Sequence, residues 1–307
     1  MPPVVRTAFG PLLARDLRKV YYETGKERPL EYPMVANMDT MGWNPVKDQQ
    51  VAGIGTMPQK PEGQQFALDE HIIGNAKEYI AVPFGLAIEF TWEGWRDELY
   101  GVAREMVAEQ SRATRQRQEV EFWDIFNNAF TAGGTADTDP LRGFTDSEAL
   151  CAVTHTGLDT IVRSNRPSPD VGLSITGVQS AILRFESMTT ERNVPRLMSP
   201  VLAVIHAQQK FTAREVLGSS GRPYTADNEL NALIEEDLSW MVSHYLTSQT
   251  AWFMLAAKGV HDLNFLWRDQ PIFDSFDDPW SKNAVFTSYQ RFAVGWGAWR
   301  GIDGSTG

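Results

Sequence analysis

F-T-W-E-G-W-R-D-E-L-Y-G occupies Phe90–Gly101, and V-A-R-E-M-V-A-E-Q-S-R-A-T-R-Q-R-Q-E-V-E-F-W-D-I-F-N-N-A-F continues it to Phe130 without a proline or a further glycine. A stretch this long without a breaker predicts one helix over Asp97–Phe130, a rod of roughly 50 Å at ~1.5 Å per residue. Its ends are amphipathic, with Leu99, Ala103, Met106 and Val107 at one and Val120, Trp123, Ile125 and Phe126 at the other. The middle, Glu109–Glu119, has Ala113 as its only apolar side chain. A helix polar on every side for about three turns cannot lie in one apolar core; it bridges, or it rests on another polar surface.

Just upstream, Val82, Phe84, Leu86, Ile88, Phe90 and Trp92 alternate with Pro83, Gly85, Ala87, Glu89 and Thr91. Period two predicts a half-buried strand, with Pro83 and Gly85 putting its early part at a sheet edge. Val51–Ala81 reads as a long excursion whose tip is crowded with Gly53, Gly55, Pro58, Pro61 and Gly63, between two weak strand-like flanks. A loop of this length inside a compact domain implies work outside it. Residues 1–50 form a locally basic arm with one amphipathic piece, Pro11–Tyr22, punctuated by Pro29, Pro33 and Pro45. They carry too little apolar surface to fold alone, and order is expected only through neighbouring subunits.

Downstream, Thr131–Asp139 and Ser164–Asp170 are breaks, after which the text becomes α/β. Val178, Ala181, Ile182, Phe185 and Met188 mark a helix, and Val201–Ile205 a buried strand. Gln208–Leu217 is a helix with Gly218 as its C-cap, and Asp227 is placed to cap a short helix ending near Leu233. Leu238–Leu246 and Trp252–Ala256 read as strands joined by the turn Thr247–Thr250, and His261–Trp267 and Ala284–Trp299 as the last two.

The 307 residues suffice for one large or two ordinary domains. With 28 Lys+Arg against 39 Asp+Glu, the net charge of −11 opposes general binding to DNA or anionic membranes. No apolar run approaches a membrane span and Met1–Leu13 has no signal-peptide core, so a soluble protein retained where it is made is expected. The single cysteine, Cys151, can form no intrachain disulfide and reads as a buried thiol. Ten tryptophans are many for this length, and tryptophan suits interfaces as well as cores.

Catalytic and metal signatures are missing from the text. It contains no P-loop, G-x-S-x-G or H-E-x-x-H, and no two of His71, His155, His206, His244 and His261 stand three or four residues apart. Gly295, Gly297 and Gly301 imitate a nucleotide turn but read as glycines of a bulged terminal strand. The acidic groups Glu235–Asp237 and Asp274, Asp277 and Asp278 fit no EF-hand spacing and read as solvated faces. Arg112, Arg115 and Arg117 are interleaved with Glu109, Glu119 and Glu121, which favours ion pairs over nucleic-acid contact. No catalytic, cofactor-binding or metal-binding residue is assigned.

Several segments in order carry a family resemblance: Phe90–Gly101, W-D-I-F-N-N-A-F (Trp123–Phe130), F-T-A-R-E-V-L-G-S-S-G-R-P-Y-T-A-D-N-E-L-N-A-L (Phe211–Leu233), H-Y-L-T-S-Q-T-A-W-F-M-L (His244–Leu255) and R-F-A-V-G-W (Arg291–Trp296). From Val51 to Gly307 the chain resembles the major capsid proteins of tailed phages with the Hong Kong 97-type fold, especially the Mu-like major head group. That resemblance implies an α+β fold with an N-terminal arm (1–50), an extended loop (51–81), a peripheral domain (82–170, with its spine helix at 97–130, and 260–307) and an axial domain (171–259). It implies a structural, non-enzymatic subunit that assembles as hexamers and pentamers around double-stranded DNA, in the host cytoplasm, and ends in the virion. Implied partners are further copies, separate scaffold or protease, portal and decoration proteins, and weakly contacted DNA, with no membrane and no cofactor.

Only about fifty residues precede the extended loop, so a scaffold is expected as a separate protein. Lysine–asparagine cross-linking has Lys60 and Lys77 as loop nucleophiles and Asn283 as a possible partner, none marked as activated. The rivals are an α/β enzyme with an interdomain cleft, a nucleic-acid-binding protein using the arm and long helix, and another phage part such as a decoration or tail protein.

Overall fold

The computed structural model describes residues 9–91, 100–133, 139–141, 143–144, 148–221, 230–281 and 283–307. The chain begins with α1 (Phe9–Thr24), α2 (Tyr32–Val35) and β1 (Asn37–Thr40). The hairpin β2 (Val46–Ala52) and β3 (Ile72–Tyr79) follows, then β4 (Val82–Phe90) and the long α3 (Tyr100–Asn127). A short ribbon, β5 (His155–Thr156) and β6 (Val162–Arg163), precedes α4 (Ile175–Glu186), β7 (Leu202–His206), α5 (Lys210–Gly218), β8 (Ser239–Ser243) and β9 (Trp252–Leu255). The chain closes with β10 (Leu263–Asp277), β11 (Ala284–Trp296) and β12 (Ile302–Ser305).

Helix α3 is the long rod that the sequence predicts. Residues 97–99 of the expected span lie outside the described residues, and the helix ends three residues early. There the chain tightens into shorter turns, with Ala129 N donating to Phe126 O and Thr131 N to Asn128 O. The two apolar ends enter different cores. Phe122, Trp123, Ile125 and Phe126 join Val178 and Phe185 of α4, Val204 of β7 and Phe253 of β9. Ala103 and Val107 join Leu17 and Tyr21 of α1, Phe90, Phe273 and Phe286.

Between these cores the polar middle is buried against the chain's own polar surface. Gln110, Ser111, Thr114, Gln118 and Glu119 are all buried. Gln110 Nε2 donates to Phe286 O (3.3 Å) and Leu86 O (2.8 Å), Thr114 Oγ1 lies 3.4 Å from Ser288 Oγ, and Gln118 Nε2 donates to Gln290 Oε1 at 2.7 Å. A step of four on a helix advances ~6 Å and a step of two on a strand ~6.8 Å. Residues 110, 114 and 118 therefore keep pace with 286, 288 and 290. From the other side Ser111 Oγ donates to Tyr21 O (2.6 Å) and Tyr21 Oη to Thr114 Oγ1 (3.1 Å). Glu119 accepts from the backbone N–H groups of Glu31 (2.5 Å) and Tyr32 (3.2 Å) and from Trp123 Nε1 (2.9 Å), so it caps α2. Burial pushes its carboxyl above the usual range, and those donors oppose the shift.

One sheet has the order β1-β10-β11-β4, with β1 parallel to β10 and the other pairs antiparallel. This corrects the reading of residues 1–50 as an arm ordered only by neighbours. Leu17 and Tyr21 are buried on α3, Tyr21 stacks on Phe273 with centroids 4.7 Å apart, and Arg18 Nη2 donates to Phe273 O at 2.9 Å. Leu17 and Tyr21, then Tyr32, Val35, Ala36 and Met41, are all buried, and with the ladder bonds of β1 they do what the low apolar content hides.

The second sheet has the order β12-β9-β7-β8, with β7 parallel to β8 and antiparallel to β9. Helix α4 starts at Ser174, whose Oγ accepts from Gly177 N, and buries Val178, Ala181, Ile182 and Phe185. Strand β12 was not expected, because I-D-G-S has no strand pattern, and it places the C-terminus on this sheet rather than with β10 and β11. Its polar residues are satisfied locally. Asp303 receives Arg184 Nε and Nη2, both at 2.8 Å, and Ser305 Oγ donates to Val171 O at 2.8 Å. Burial pushes the Asp303 carboxyl up to about 6 against the pull of Arg184.

Three smaller expectations change. The loop hairpin starts at Val46, not Val51, since Val46–Ala52 pairs with Ile72–Tyr79. Gly218 is the last helical residue of α5 rather than its cap. Asn231 replaces Asp227, which lies outside the described residues: its Oδ1 accepts from Leu233 N, and its Nδ2 donates to Val216 O and Ser219 O.

If the ladder between α3 and β11 holds as described, Gln290→Leu leaves the Gln118 amide without its partner. It should destabilise the subunit by about 1–3 kcal/mol in urea unfolding. Gln118→Leu combined with Gln290→Leu should cost at least about 0.5 kcal/mol less than the two single changes together. Strict additivity would contradict the pairing.

His261 gives a pH prediction. Its buried ring accepts from Leu263 N at Nδ1, and burial lowers its pKa from 6.5 to about 4. Between those values the unfolded chain binds the proton and the folded one does not, so stability falls as pH drops, by about 3 kcal/mol over the window. Asp303 acts with the opposite sign, so the comparison is made with the variant. His261→Asn should flatten the decline between pH 6.5 and 4; an unchanged slope would contradict this assignment.

Candidate assembly surfaces

The loop between β2 and β3 gathers several of the most exposed apolar side chains among the described residues. Its glycines and prolines suit turns rather than ladder pairing, and residues 53–71 form no helix or strand. At the neck, Gly55 N donates to Asp69 Oδ2 at 2.8 Å, and at the tip Gln64 N closes a turn on Pro61 O with Gly63 at φ +76°. Met57 and Leu68 are 96% exposed, Phe66 80% and Ile54 63%. Burying side chains of this kind is worth about 1.5–3 kcal/mol each, which this chain leaves unrealised. Such a clustered apolar set marks a contact surface.

The lysines of this region differ in character. Lys60 lies with its Nζ 4.7 Å from the Phe66 ring centroid. Lys77 is buried in β3, its Nζ donating to the Asp139 carbonyl and lying over Tyr79, so it does not point to a neighbour. Asn283 Nδ2 donates to Glu89 Oε1 at 2.6 Å and ties the end of the β10–β11 hairpin to β4.

At the tip of that hairpin Asp278 accepts from Trp280 N (3.1 Å) and Ser281 Oγ (2.6 Å). These bonds hold Trp280 in a tight turn with 95% of its surface exposed. The sequence reading did not single out Trp280. The signal was present in D-D-P-W-S-K, where turn residues on both sides leave a tryptophan nowhere to be buried.

The remaining flagged residues are separate. Arg112 pairs with Glu27 and Glu109, and Arg117 with Glu121 while lying over Phe84. Asp274 pairs with Arg18. Cys151 is buried, and burial raises its thiol pKa. His155 stacks on Trp299 at 4.3 Å and its Nε2 lies 3.0 Å from Asn165 Oδ1; His206 Nδ1 accepts from Gln208 N; His244 Nδ1 lies 2.5 Å from Glu31 Oε1. Among the described residues, no three His, Cys, Asp or Glu side chains are grouped to hold a metal ion, and no helix is long and apolar enough to cross a membrane. Two shallow grooves of about 280 and 300 Å³ flank β4. The first is lined by Phe84, Leu86, Ala113, Arg117 and Gln290, the second by Lys77, Glu78, Val82, Glu121 and Ile125. Neither lining includes a serine or cysteine nucleophile beside a histidine.

The fold is similar to that of chains from several solved structures. A chain of the procapsid of bacteriophage JBD30 is similar over 100% of this chain and 76% of its own, with 14% identity and a TM-score of 0.51. A chain of Mycobacterium phage Patience matches over 97% and 85%, with 8% identity and a TM-score of 0.56. A chain of the SrpI encapsulin complex of Synechococcus elongatus matches over 92% and 88%, with 8% identity and a TM-score of 0.51. At these identities the likeness concerns the fold. No curated protein matches the chain by sequence. The sequence pattern of the phage capsid protein family, however, matches residues 75–302, from within β3 to the start of β12. With that match over most of its length and an α+β architecture of the Hong Kong 97 type, the chain belongs to the phage capsid protein family.

Proposed function

We propose that the sheet β1-β10-β11-β4 with α3 is the peripheral domain of a major capsid protein, that β12-β9-β7-β8 with α4 and α5 is its axial domain, and that β2, β3 and residues 53–71 are its extended loop. As a capsid protein the chain builds a shell from many copies. Those copies form hexamers and pentamers enclosing double-stranded DNA, and assemble in the host cytoplasm with separate scaffold or protease and portal proteins. The subunit has no enzymatic role. The observation that carries the reading is the match over residues 75–302, supported by the apolar loop residues that this chain does not cover. A net charge of −11 suits a container whose contact with DNA is weak, since a basic lining would retain the genome by counterion release.

The full chain, produced with its scaffold and portal, should sediment as particles of several megadaltons and appear as closed shells in negative stain. Discrete small oligomers alone would contradict the reading. Replacing Phe66 and Leu68 by serine should leave the subunit folded and sharply reduce the shell fraction.

The shell is held without covalent links. Lys77 is buried and committed to Asp139, and the Asn283 amide is held by Glu89 within its own chain. Boiled particles should run as one band near 34.5 kDa on a denaturing gel. A ladder of multiples resisting detergent and reductant would contradict this and implicate Lys60.

A further inference from the structure

The loop neck is held by a residue that the sequence reading passed over. Arg192 Nε donates to Gly53 O at 3.3 Å, and its Nη2 donates to Asp69 Oδ1 at 3.1 Å and to the Glu70 carbonyl. Gly53 follows β2, and Asp69 and Glu70 approach β3. One guanidinium therefore spans both limbs of the loop where they leave the stem. Asp69 completes the clasp by accepting from Gly55 N with its other oxygen.

The turn that carries Arg192 is bonded to the rest of the fold at several points. Residues 188–196 form a tight reversal, with Arg196 N bonded to Met188 O, Thr190 N to Val194 O, and Asn193 at φ +56°. Arg163 holds it through Thr189 Oγ1 (2.7 Å) and Thr190 O (3.0 Å), and Arg300 Nε holds Thr189 O at 3.0 Å. The neighbouring Glu191 accepts from Arg300 Nη1 (2.6 Å), from Leu158 N (2.8 Å) and from Gln50 Nε2 (3.0 Å). Gln50 is where the β2–β3 ladder slips register. A bulge is where a two-stranded ribbon bends, and two adjacent residues of one anchored turn clamp the ribbon at and just beyond it.

We propose that Arg192 is the positioning residue of the extended loop: by bonding Gly53, Asp69 and Glu70 together it fixes the direction in which the apolar tip is presented to a second copy of this chain. The inference rests on the reading of that loop as a contact between copies. Planar geometry matters, because the guanidinium presents its donors in a fixed, spread fork that reaches two backbone carbonyls and a carboxylate, whereas a lysine ammonium is a compact point charge. Without the clasp, 53–71 is a long flexible closure pivoting on a bulge, and binding must first supply the entropy of ordering it.

The test separates the clasp from the shell. Spin labels at Gln59→Cys in the loop and Gln179→Cys on α4 report tip orientation in the free subunit; the native Cys151 is buried and takes no label. The parent should give one narrow distance distribution. Arg192→Ala should widen it about twofold with little change in unfolding midpoint, and Arg192→Lys should be intermediate. Asp69→Asn, which keeps an acceptor but loses the charge, should also widen it. In shell assembly Arg192→Ala should lower the yield of closed particles about tenfold, as expected from losing a charge-assisted cluster. An unchanged distribution in Arg192→Ala overturns the clasp. A widened distribution with normal particle yield overturns its role in presentation. If the parent itself forms no shells, the capsid reading fails, and the distance comparison still decides the clasp.

Discussion

Seating a polar stretch of helix on a polar strand of the same chain is the constraint around which this subunit is arranged. Buried amides and hydroxyls cost about 1–3 kcal/mol each when left without partners. Here most of the cost is avoided by a match of repeats, four residues of α3 against two of β11, which brings Gln110, Thr114 and Gln118 to Phe286, Ser288 and Gln290 and leaves only Gln110 Oε1 of these three side chains unpartnered. A one-residue slip of β11 would turn Ser288 and Gln290 to the opposite face and leave several groups unpaired together. The ladder therefore sets the register of the helix on the sheet more sharply than apolar contacts would.

Much else follows from that fixed register. The helix ends are carried into two separate cores, one with α1 and the β10–β11 hairpin, the other with α4 and the β7–β9 sheet. Glu119 caps α2, and Asn127 accepts from Thr247 N (2.9 Å) and donates to Tyr245 O (3.1 Å) of the loop between β8 and β9. The long helix is thus the member to which both sheets and the N-terminal segment attach. Most of its buried polar face is satisfied within the chain, Gln110 Oε1 excepted. Among the described residues, unfinished packing includes the loop tip, around Met57, Phe66 and Leu68, and Trp280, besides Trp43, Leu197 and Phe211 elsewhere. A subunit with its own cores and with apolar side chains left exposed on projecting turns is suited to closing a lattice.

The sequence made the regular elements legible where periodicity was strong. The alternation from Val82 to Phe90 and the breaker-free run to Asn127 both read correctly, as did the buried strand at β7. The polar middle of α3 read as something odd, and resting on a polar surface was one of two explanations. Periodicity could not tell that the surface was in the same chain, since the partners Ser288 and Gln290 stand more than 170 residues away. The first fifty residues misled because order there rests on a few placed side chains, Leu17, Tyr21, Tyr32, Val35 and Met41, and on backbone pairing at β1, not on composition. Strand β12 was invisible because Asp303 and Ser305 are buried only through Arg184 and Val171. Arg192 gave no signal either, as a clasp is defined by the positions of Gly53, Asp69 and Glu70 in space.

Hydrogen exchange measured on the free subunit and on assembled shells tests the central claim most directly, since it reads where packing is complete before assembly. Amides of Gln110–Gln118 and Phe286–Gln290 should be equally slow in both, whereas residues 53–71 should be fast in the free subunit and become slow in the shell. Rapid exchange along the middle of α3 in the free subunit, slowing only on assembly, would mean that neighbours rather than β11 satisfy the helix, and would contradict the account.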